Sequence, residues 1–541
     1  MPRPHRTVQS GRVPTTRPEE PTVADHSRRA VLRGAALSAA AIPMGGTAPS
    51  PRKDPPITVG PDDPRYRSLV LRGYNRRFEG RPDQIRVVTS TRDVVRAVDD
   101  AVRTRRRVAV RSGGHGFENF VDDPAVRMLV DISTMTAVEY DERRDAFMVE
   151  AGATLGEIYR RLYLGWGVTI PGGTGSDVGA GGHITGGGYG ALCRLHGLTV
   201  DHLYAVEVVV VGRSGKAKSV VATREPSDPH RELWWAHTGG GGGNFGIVTR
   251  YWFRSPTRSL PRPPATVLDF SLDWPWDDLD RDSFIRLLRN YGRWTERNSA
   301  PGSPGAALYG EFTLTTRPSE TITLSGQVAT DTGANRLLGD LVNALGHGVD
   351  VRPWRQTSTL PWLTAATKGW GGGPGPFHRI KIKSGLRRRG FTDRQLAVVH
   401  HHLTRSDYGH PYGHMFINTF GGRVNTVAPD ATAVSHRDSM FIVGFLVGWD
   451  DPAEDARHLG WIRDLYRDVY ADGGGGVPAG TADEGAYINY PDTDLADPKL
   501  NGSSTPWHAL YYGANYTRLQ QAKRRYDPHN VFHHALSIRP T

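Results

Sequence analysis

Half of the residues between Pro171 and Gly190, PGGTGSDVGAGGHITGGGYG, are glycine. A glycine costs a helix about 1 kcal/mol relative to alanine and gives a strand no side chain to pack. Neither an ordinary helix nor an ordinary strand is therefore expected there. What remains is a flexible linker or a loop whose bare backbone lines a binding site. Apolar strand-like sequence on both sides, Gly167-Val-Thr-Ile170 before and Ala205 to Val211 after, argues against a linker. Two more glycine clusters lie nearby. Arg111-Ser112-Gly113-Gly114-His115-Gly116 follows the apolar Val108-Ala-Val110 and reads as a turn leaving a strand. Thr238 to Gly246, with five consecutive glycines before Asn244, leads into the apolar run Ile247 to Phe253. Three such nests within about 140 residues point to one large anionic or planar ligand packed on main-chain N–H groups. Their spacing is not that of the dinucleotide fingerprint that opens a helix. His115 alone would be an incidental turn histidine; beside such a ligand its ring becomes a candidate nucleophile.

The composition narrows the field further. A chain of 541 residues, 38% hydrophobic and 23% charged, is expected to form two large globular domains. The single cysteine, Cys193, excludes an internal disulfide and a cysteine-based metal cluster. Adjacent histidines at 400–402 and 533–534 lack an accompanying carboxylate set, so they are read as solvated or packing residues, and no metal site is expected. The net charge of +11 owes +4 to the first 48 residues; the remaining +7 is spread thinly, with no basic block to suggest nucleic acid. Ser27-Arg28-Arg29-Ala30-Val31-Leu32-Arg33, followed by an alanine-rich run to Met44, has the twin-arginine export pattern, which predicts secretion of a folded protein, with a cytoplasmic location as the alternative. No integral membrane span is expected beyond it.

Periodicity predicts a strand at 84–88, a helix capped by Thr91 with Val94, Val95, Val98 and Val102 on one face, and strands at 108–110, 129–132 and 146–150. A short helix is expected over 155–164, ending at Gly165. The proline-rich Ser255 to Pro264 marks a boundary, after which strands such as Thr321–Leu324 and Met440–Val447 alternate with helices near 280–297, 333–345, 392–403 and 453–471. The expected organisation is a twin-arginine signal at 1–48, a linker and N-terminal segment at 49–78, a nucleotide-binding domain at 79–257, a substrate domain at 258–475 and a C-terminal segment, 476–541, that completes the nucleotide domain.

The three nests, together with Ala486-Tyr-Ile-Asn-Tyr490-Pro-Asp492 and the segment Tyr511 to Ile538, resemble the berberine-bridge-enzyme-like flavoproteins of the vanillyl-alcohol-oxidase superfamily, above all the actinomycete oxidases that act on sugars of glycosylated antibiotics. The resemblance implies an α+β chain, a two-subdomain FAD-binding domain with an inserted α+β substrate domain. It implies FAD contacts from Arg111, Ser112, Gly113, Gly114 and Gly116, with His115 joined covalently to the flavin. Further contacts are implied for Gly175, Val178, Gly179, Gly181, Gly182 and His183, for Gly187 and Gly188, for Gly242, Asn244, Ile247 and Val248, and for Tyr512 and Asn515. Many relatives carry a second, cysteinyl tether; here that position is Gly175, so one tether is expected, and Cys193 is read as a small buried apolar residue. Val178 matches a position that gates oxygen and favours an oxidase. Tyr490 matches the family's base, and Tyr189, between two glycines, is a second candidate for proton or substrate handling. A tyrosine needs a neighbouring cation or the oxidised flavin to lower its pKa. The resemblance also implies, from some sugar-oxidising relatives, a second acid or tyrosine on the substrate sheet; the candidate strand, His414 to Phe420, offers no carboxylate and has Phe420 where a tyrosine would serve.

The activity so implied is oxidation of an alcohol, a sugar hydroxyl of a glycosylated natural product or an oligosaccharide, to the carbonyl or acid, by hydride transfer to flavin N5 with a tyrosine base, with O2 as acceptor and H2O2 as product. Oxidative cyclisation or desaturation of a secondary metabolite is the second enzymatic reading. A non-catalytic ligand-binding protein with a degenerate flavin fold is the third.

Overall fold

The computed structural model describes residues 56–257, 259–369 and 378–540. The twin-arginine leader expected at 1–48 lies outside the described residues. Nine strands precede residue 254. β1 (Ile57–Val59), β2 (Gln84–Val87), β3 (Val108–Arg111) and β4 (Met128–Asp131) form a sheet of order β1-β2-β4-β3, parallel except at β1. β5 (Val138–Asp141), β6 (Ala146–Glu150), β7 (Leu203–Val211), β8 (Ala217–Thr223) and β9 (Ile247–Phe253) form an antiparallel sheet of order β5-β6-β9-β7-β8. The helix Thr91–Arg103 contacts strands of both sheets and buries Val94, Ala97, Val98 and Ala101. Its cap is Ser90, whose hydroxyl accepts from the Asp93 N–H, one residue before the expected Thr91.

The helix Leu155–Trp166 opens on a capping box of Thr154 and Glu157 and closes at Gly167, which takes the left-handed φ of 66°, two residues later than Gly165. The apolar Gly167–Ile170 forms no strand; Thr169 instead donates its N–H to the Pro261 carbonyl. The glycine segment also holds a helix, Ala180–Thr185, where none was expected. Tertiary bonds supply what its propensity lacks. The N–H groups of Ala180 and Gly181 donate to the carbonyls of Ala153 and Ala151 at 2.8 and 2.9 Å.

The rest of the chain builds one antiparallel sheet. Its strands are β10 (Thr266–Pro275), β11 (Leu308–Thr315), β12 (Thr321–Val328), β13 (Trp354–Pro361), β14 (Arg379–Arg387), β15 (Gly413–Thr419), β16 (Phe441–Trp449) and β17 (Asp483–Gly485), ordered β13-β10-β12-β11-β15-β16-β14-β17. Helices Arg281–Arg297, Ala334–Leu345, Asp393–Thr404 and Asp455–Val469 pack on it and on one another. Strand alternation separates the two faces. Phe312 and Phe445 meet Tyr291 and Tyr466 of the helices, whereas their neighbours Glu311 and Leu446 line a cavity. β17 belongs to this sheet although its residues fall in the segment expected to complete the nucleotide domain. Among the described residues, no helix is long and apolar enough to cross a membrane.

After β17 the chain returns to the glycine nests. Lys523, fully buried, donates to the carbonyls of Asn244 and Phe532 and to the Asp527 carboxylate at 2.5–2.7 Å. Asn244 Oδ1 accepts the N–H of Ile538. Substituting Lys523→Ala leaves Asp527 buried without its cation. The expected loss is about 3–5 kcal/mol of stability, read by denaturant unfolding.

Candidate active site

A cavity of about 960 Å³ is walled on one side by the three glycine nests and on the other by the cavity face of the eight-stranded sheet. The first two nests touch backbone to backbone. A Cβ on Gly113 would sit 2.4 Å from the Gly179 nitrogen, and one on Gly179 2.3 Å from the Gly113 nitrogen and the Ser112 hydroxyl. Only glycine at both positions allows the approach. Of the expected cofactor residues, Arg111 to Gly116, Gly175, Val178, Gly179, Gly181, Gly182 and His183 line the cavity, as do Gly242, Asn244, Ile247 and Val248. Gly187, Gly188, Tyr512 and Asn515 stand off that lining. Gly188 donates its N–H to the Tyr487 hydroxyl, Tyr512 donates to the Gly240 carbonyl, and Asn515 ties down the carbonyls of Pro429, Thr432 and Ala433. These residues hold the cradle from behind. The Arg111 guanidinium is likewise buried, donating to the Leu69 carbonyl.

His115 stacks on Tyr74 with ring centroids 4.9 Å apart, and its Nε2 lies 3.1 Å from Asp177 Oδ2. Gly175 faces the same cavity beside Val178. Cys193 is fully buried and off the cavity wall; burial pushes its thiol up to about 12. His183 accepts the N–H of Gly173 at Nε2, and burial pushes its pKa down to about 4, so it stays neutral.

At the far end Tyr189 and Tyr490 place their hydroxyls 2.7 Å apart. Asn418 of β15 donates its amide N–H to the Tyr189 hydroxyl at 2.9 Å. Burial raises the pKa of both tyrosines, and the nearby Glu311 raises them further. Of the two means expected to lower the base's pKa, a neighbouring cation or the oxidised flavin, the first meets an opposing neighbour, the Glu311 carboxyl. Glu311 of β11 lies across the ladder from Asn418, and burial raises its pKa to about 7. A buried carboxyl thus stands on β11, the strand next to β15. The cavity-facing residues of β15 are His414, Phe416 and Asn418, while Phe420 is buried edge-on against Tyr189 at 6.1 Å.

Three segments converge beneath this end. Lys381 of β14 pairs with Glu118 at 2.8 Å and Asp492 at 2.7 Å; Lys383 pairs with Asp492 at 2.5 Å and Asp494 at 3.0 Å. Burial opposes the charge on Lys381, but Asp492 and Glu118 hold its ammonium above the ordinary range. Glu118 follows His115 by three residues and Asp492 follows Tyr490 by two, so one network fixes both loops to the sheet. His533 and His534, expected as solvated or packing residues, line the cavity, and His534 stacks on Phe120 at 3.9 Å. Of the histidines at 400–402, His400 packs on Phe284, and His402 pairs with Asp468 at 2.9 Å.

The residues present fit a flavin dinucleotide. The bare backbone of three glycine nests suits a diphosphate, apolar Val121, Ile132 and Val248 together with Phe120 suit flat rings, and a Cβ on cavity-lining Gly182 would meet no protein atom within 4 Å. Comparison with known proteins agrees. Residues 82–218 match the FAD binding domain family, and residues 486–539 match the family described as berberine and berberine like. The chain belongs to the berberine-bridge-enzyme-like FAD-linked oxidoreductases. It is similar to the aclacinomycin-N/aclacinomycin-A oxidase of Streptomyces galilaeus, 49% identical over 494 residues and 90% of each chain. The hexose oxidase of Chondrus crispus is 33% identical over 90% of this chain and 97% of its own. Among solved structures, a glycopeptide hexose oxidase complexed with teicoplanin superposes with a TM-score of 0.86 at 50% identity, covering 90% of this chain and 99% of that one.

Gly179→Ala forces the first two nests apart. The expected outcome is about 1–3 kcal/mol lost in thermal or denaturant unfolding, together with less flavin absorbance per mole of purified protein.

Proposed function

We propose that this flavoprotein is an oxidase of a sugar hydroxyl, on a glycosylated natural product or an oligosaccharide, that converts the alcohol with O2 to a carbonyl and H2O2. The observation that carries the reading is the Tyr189–Tyr490 hydroxyl pair inside a cavity shared by the glycine nests and the sheet. Alcohol oxidation separates a hydride from a proton. When bound, FAD supplies the hydride acceptor and the route by which electrons reach oxygen. The protein supplies the rest. Tyr490, ionised to its tyrosinate, takes the hydroxyl proton, and Tyr189, within hydrogen-bond distance, donates into its oxygen and stabilises the ionised form that precedes the transfer. Burial and Glu311 both oppose that ionisation. The wide lining, which runs from Tyr490 past Phe416 and His414 to Tyr412, leaves room for a sugar that carries a large aglycone. The relatives named above, an antibiotic oxidase and hexose oxidases, support that substrate class.

His115 is the proposed covalent anchor. Its Nε2 is engaged by Asp177, which leaves Nδ1 as the nucleophile toward the flavin methyl group. With glycine at 175 and Cys193 buried off the cavity, the anchor is single. Val178 supports reactivity with oxygen. The division into a nucleotide domain at 79–257 completed by 476–541 and a substrate domain at 258–475 is supported by the separate sheets, with β17 as the exception. The arginine pair Arg28-Arg29 supports export by the twin-arginine route, testable with a reporter fused to residues 1–48.

Peroxide release against a panel of hexoses, oligosaccharides and glycosylated antibiotics tests the reading; no release from any would overturn it. Tyr490→Phe should lower kcat by about 10²–10⁴-fold with the flavin still bound. Intact mass should show one flavin on the native chain, none retained after denaturation of His115→Ala, and a tryptic flavopeptide containing His115.

A further inference from the structure

Glu311 takes no part in the steps above. It lies on the cavity face of β11 with Tyr309 and Thr313, in register with Asn418 of β15. Among the described residues three carboxylates line the cavity, and two of them are matched by bases of the protein. Glu118 pairs with Lys381 at 2.8 Å, and Asp177 lies 3.1 Å from His115 Nε2. Glu311 differs. Asn418 and Thr313 hydrogen-bond its carboxyl group, but no described cation offsets its charge. The basic side chains elsewhere on the lining are committed. Arg111 donates to the Leu69 carbonyl, Lys368 pairs with Asp269 at 2.6 Å, and burial pushes His414 on the same wall down to about 4, which leaves it neutral.

A carboxylate held in a low-dielectric wall without a cation is costly, and an uncharged residue would fill the same place at less cost. The neighbouring amide bears a cost as well. Asn418 turns its NH2 toward Glu311 and the Tyr189 hydroxyl, and its carbonyl Oδ1 is left buried without a partner. That orientation is the one an acceptor-only carboxylate requires. What this corner lacks is positive charge and further N–H donors, and a substrate ammonium carries both. The position suits such a group. Only Asn418 and Tyr189 stand between Glu311 and Tyr490, with contacts of 2.9 Å from Asn418 to Tyr189 and 2.7 Å from Tyr189 to Tyr490, so one sugar ring reaches both ends. A cation on Glu311 also offsets the negative charge that opposes ionisation of Tyr490.

We propose that Glu311 is a specificity-determining residue that binds the ammonium group of an aminodeoxy sugar while an alcohol of the same ring faces Tyr490. This rests on the oxidase reading above and narrows its substrate class. Thr313, Thr315 and Phe416 add no second charge to this wall, so an acidic sugar finds no partner there and is repelled by Glu311. A neutral sugar can donate its hydroxyls to the carboxylate but leaves the charge uncompensated. An amino sugar compensates it and brings to the site the neighbouring cation that a basic tyrosine requires.

Binding to the reduced holoenzyme, which cannot oxidise its ligand, tests this apart from turnover. The probes are methyl glucosides in which an amine replaces each hydroxyl in turn, each compared with its N-acetyl form and with methyl glucoside itself, by calorimetry without oxygen. At least one amine should bind about tenfold or more tightly than both uncharged counterparts. Glu311→Gln should reduce that preference to less than about threefold and leave the affinity for methyl glucoside within the same margin. The variant should keep its flavin and melt no lower than the native protein, because it removes a charge that has no cation in the protein. In turnover, kcat/KM for the preferred amine should exceed that for methyl glucoside by about tenfold in the native enzyme and match it in Glu311→Gln. A series in which no amine binds better than its counterparts, a preference that survives Glu311→Gln, or a Gln variant that loses its flavin or melts lower would overturn the proposal. A Glu311-dependent preference with no peroxide from any sugar would overturn the oxidase reading and leave the cation site standing; peroxide from neutral sugars with no preference for an amine would do the reverse.

Discussion

The buried ion network of Lys381 and Lys383 with Glu118, Asp492 and Asp494 is the constraint on which the site depends. Buried charges are tolerable only when each finds partners, and removing one leaves the others exposed to a dry interior. That condition turns the network into a positional lock. Its lysines come from a central sheet, one carboxylate from the turn that carries His115, and two from the turn after Tyr490. Arg77 and Arg463 extend it toward the rim. The proposed anchor and the proposed base, whose loops meet where Phe117 packs on Tyr490 at 5.9 Å, are referred to the same rigid strand. Reactions that separate a hydride from a proton need both acceptors placed together, and such a lock provides it.

Much of this was legible in the chain. The three glycine nests read correctly as one backbone cradle, because glycine at Gly113 and Gly179 leaves no other use for the sequence. Tyr189 and Tyr490 were each named, although nothing in a linear reading joins residues 301 positions apart. Glu311 escaped notice because a lone carboxylate in Tyr309-Gly-Glu311-Phe-Thr313 looks like any outward residue of an alternating strand. Only the sheet order, with β11 beside β15, turns its outward face into a cavity wall. The same holds for His534, whose stacking on Phe120 is a long-range contact. Gly187, Gly188, Tyr512 and Asn515 lie off the cavity lining. A motif shows that residues matter, but not whether they touch a ligand or brace the residues that do. The helix at Ala180–Thr185 shows propensity yielding to hydrogen bonds that cross from Ala151 and Ala153.

The two walls of the cavity answer to different physics. The cradle wall is main chain, held by carbonyls and N–H groups that tolerate almost no side-chain growth. The sheet wall is a row of alternating side chains on β11 and β15, any of which can change size or polarity without disturbing the ladder beneath. Substrate choice can therefore drift on one wall while the other stays fixed, as expected for a fold whose relatives include both an aclacinomycin oxidase and a hexose oxidase.

The return of the C-terminal segment has a consequence for how the protein comes into being. The Gly188 N–H waits for Tyr487, 299 residues later, and Asn244 waits for Ile538, 294 residues later. During synthesis, therefore, the first glycine-rich half spends most of the translation time with its cradle unbraced and its buried lysine partners missing. Cofactor capture must be among the last events in maturation, after the tail has docked. A nascent chain of this kind is a natural client for holding factors that keep an open, glycine-lined cleft from being proteolysed before it closes.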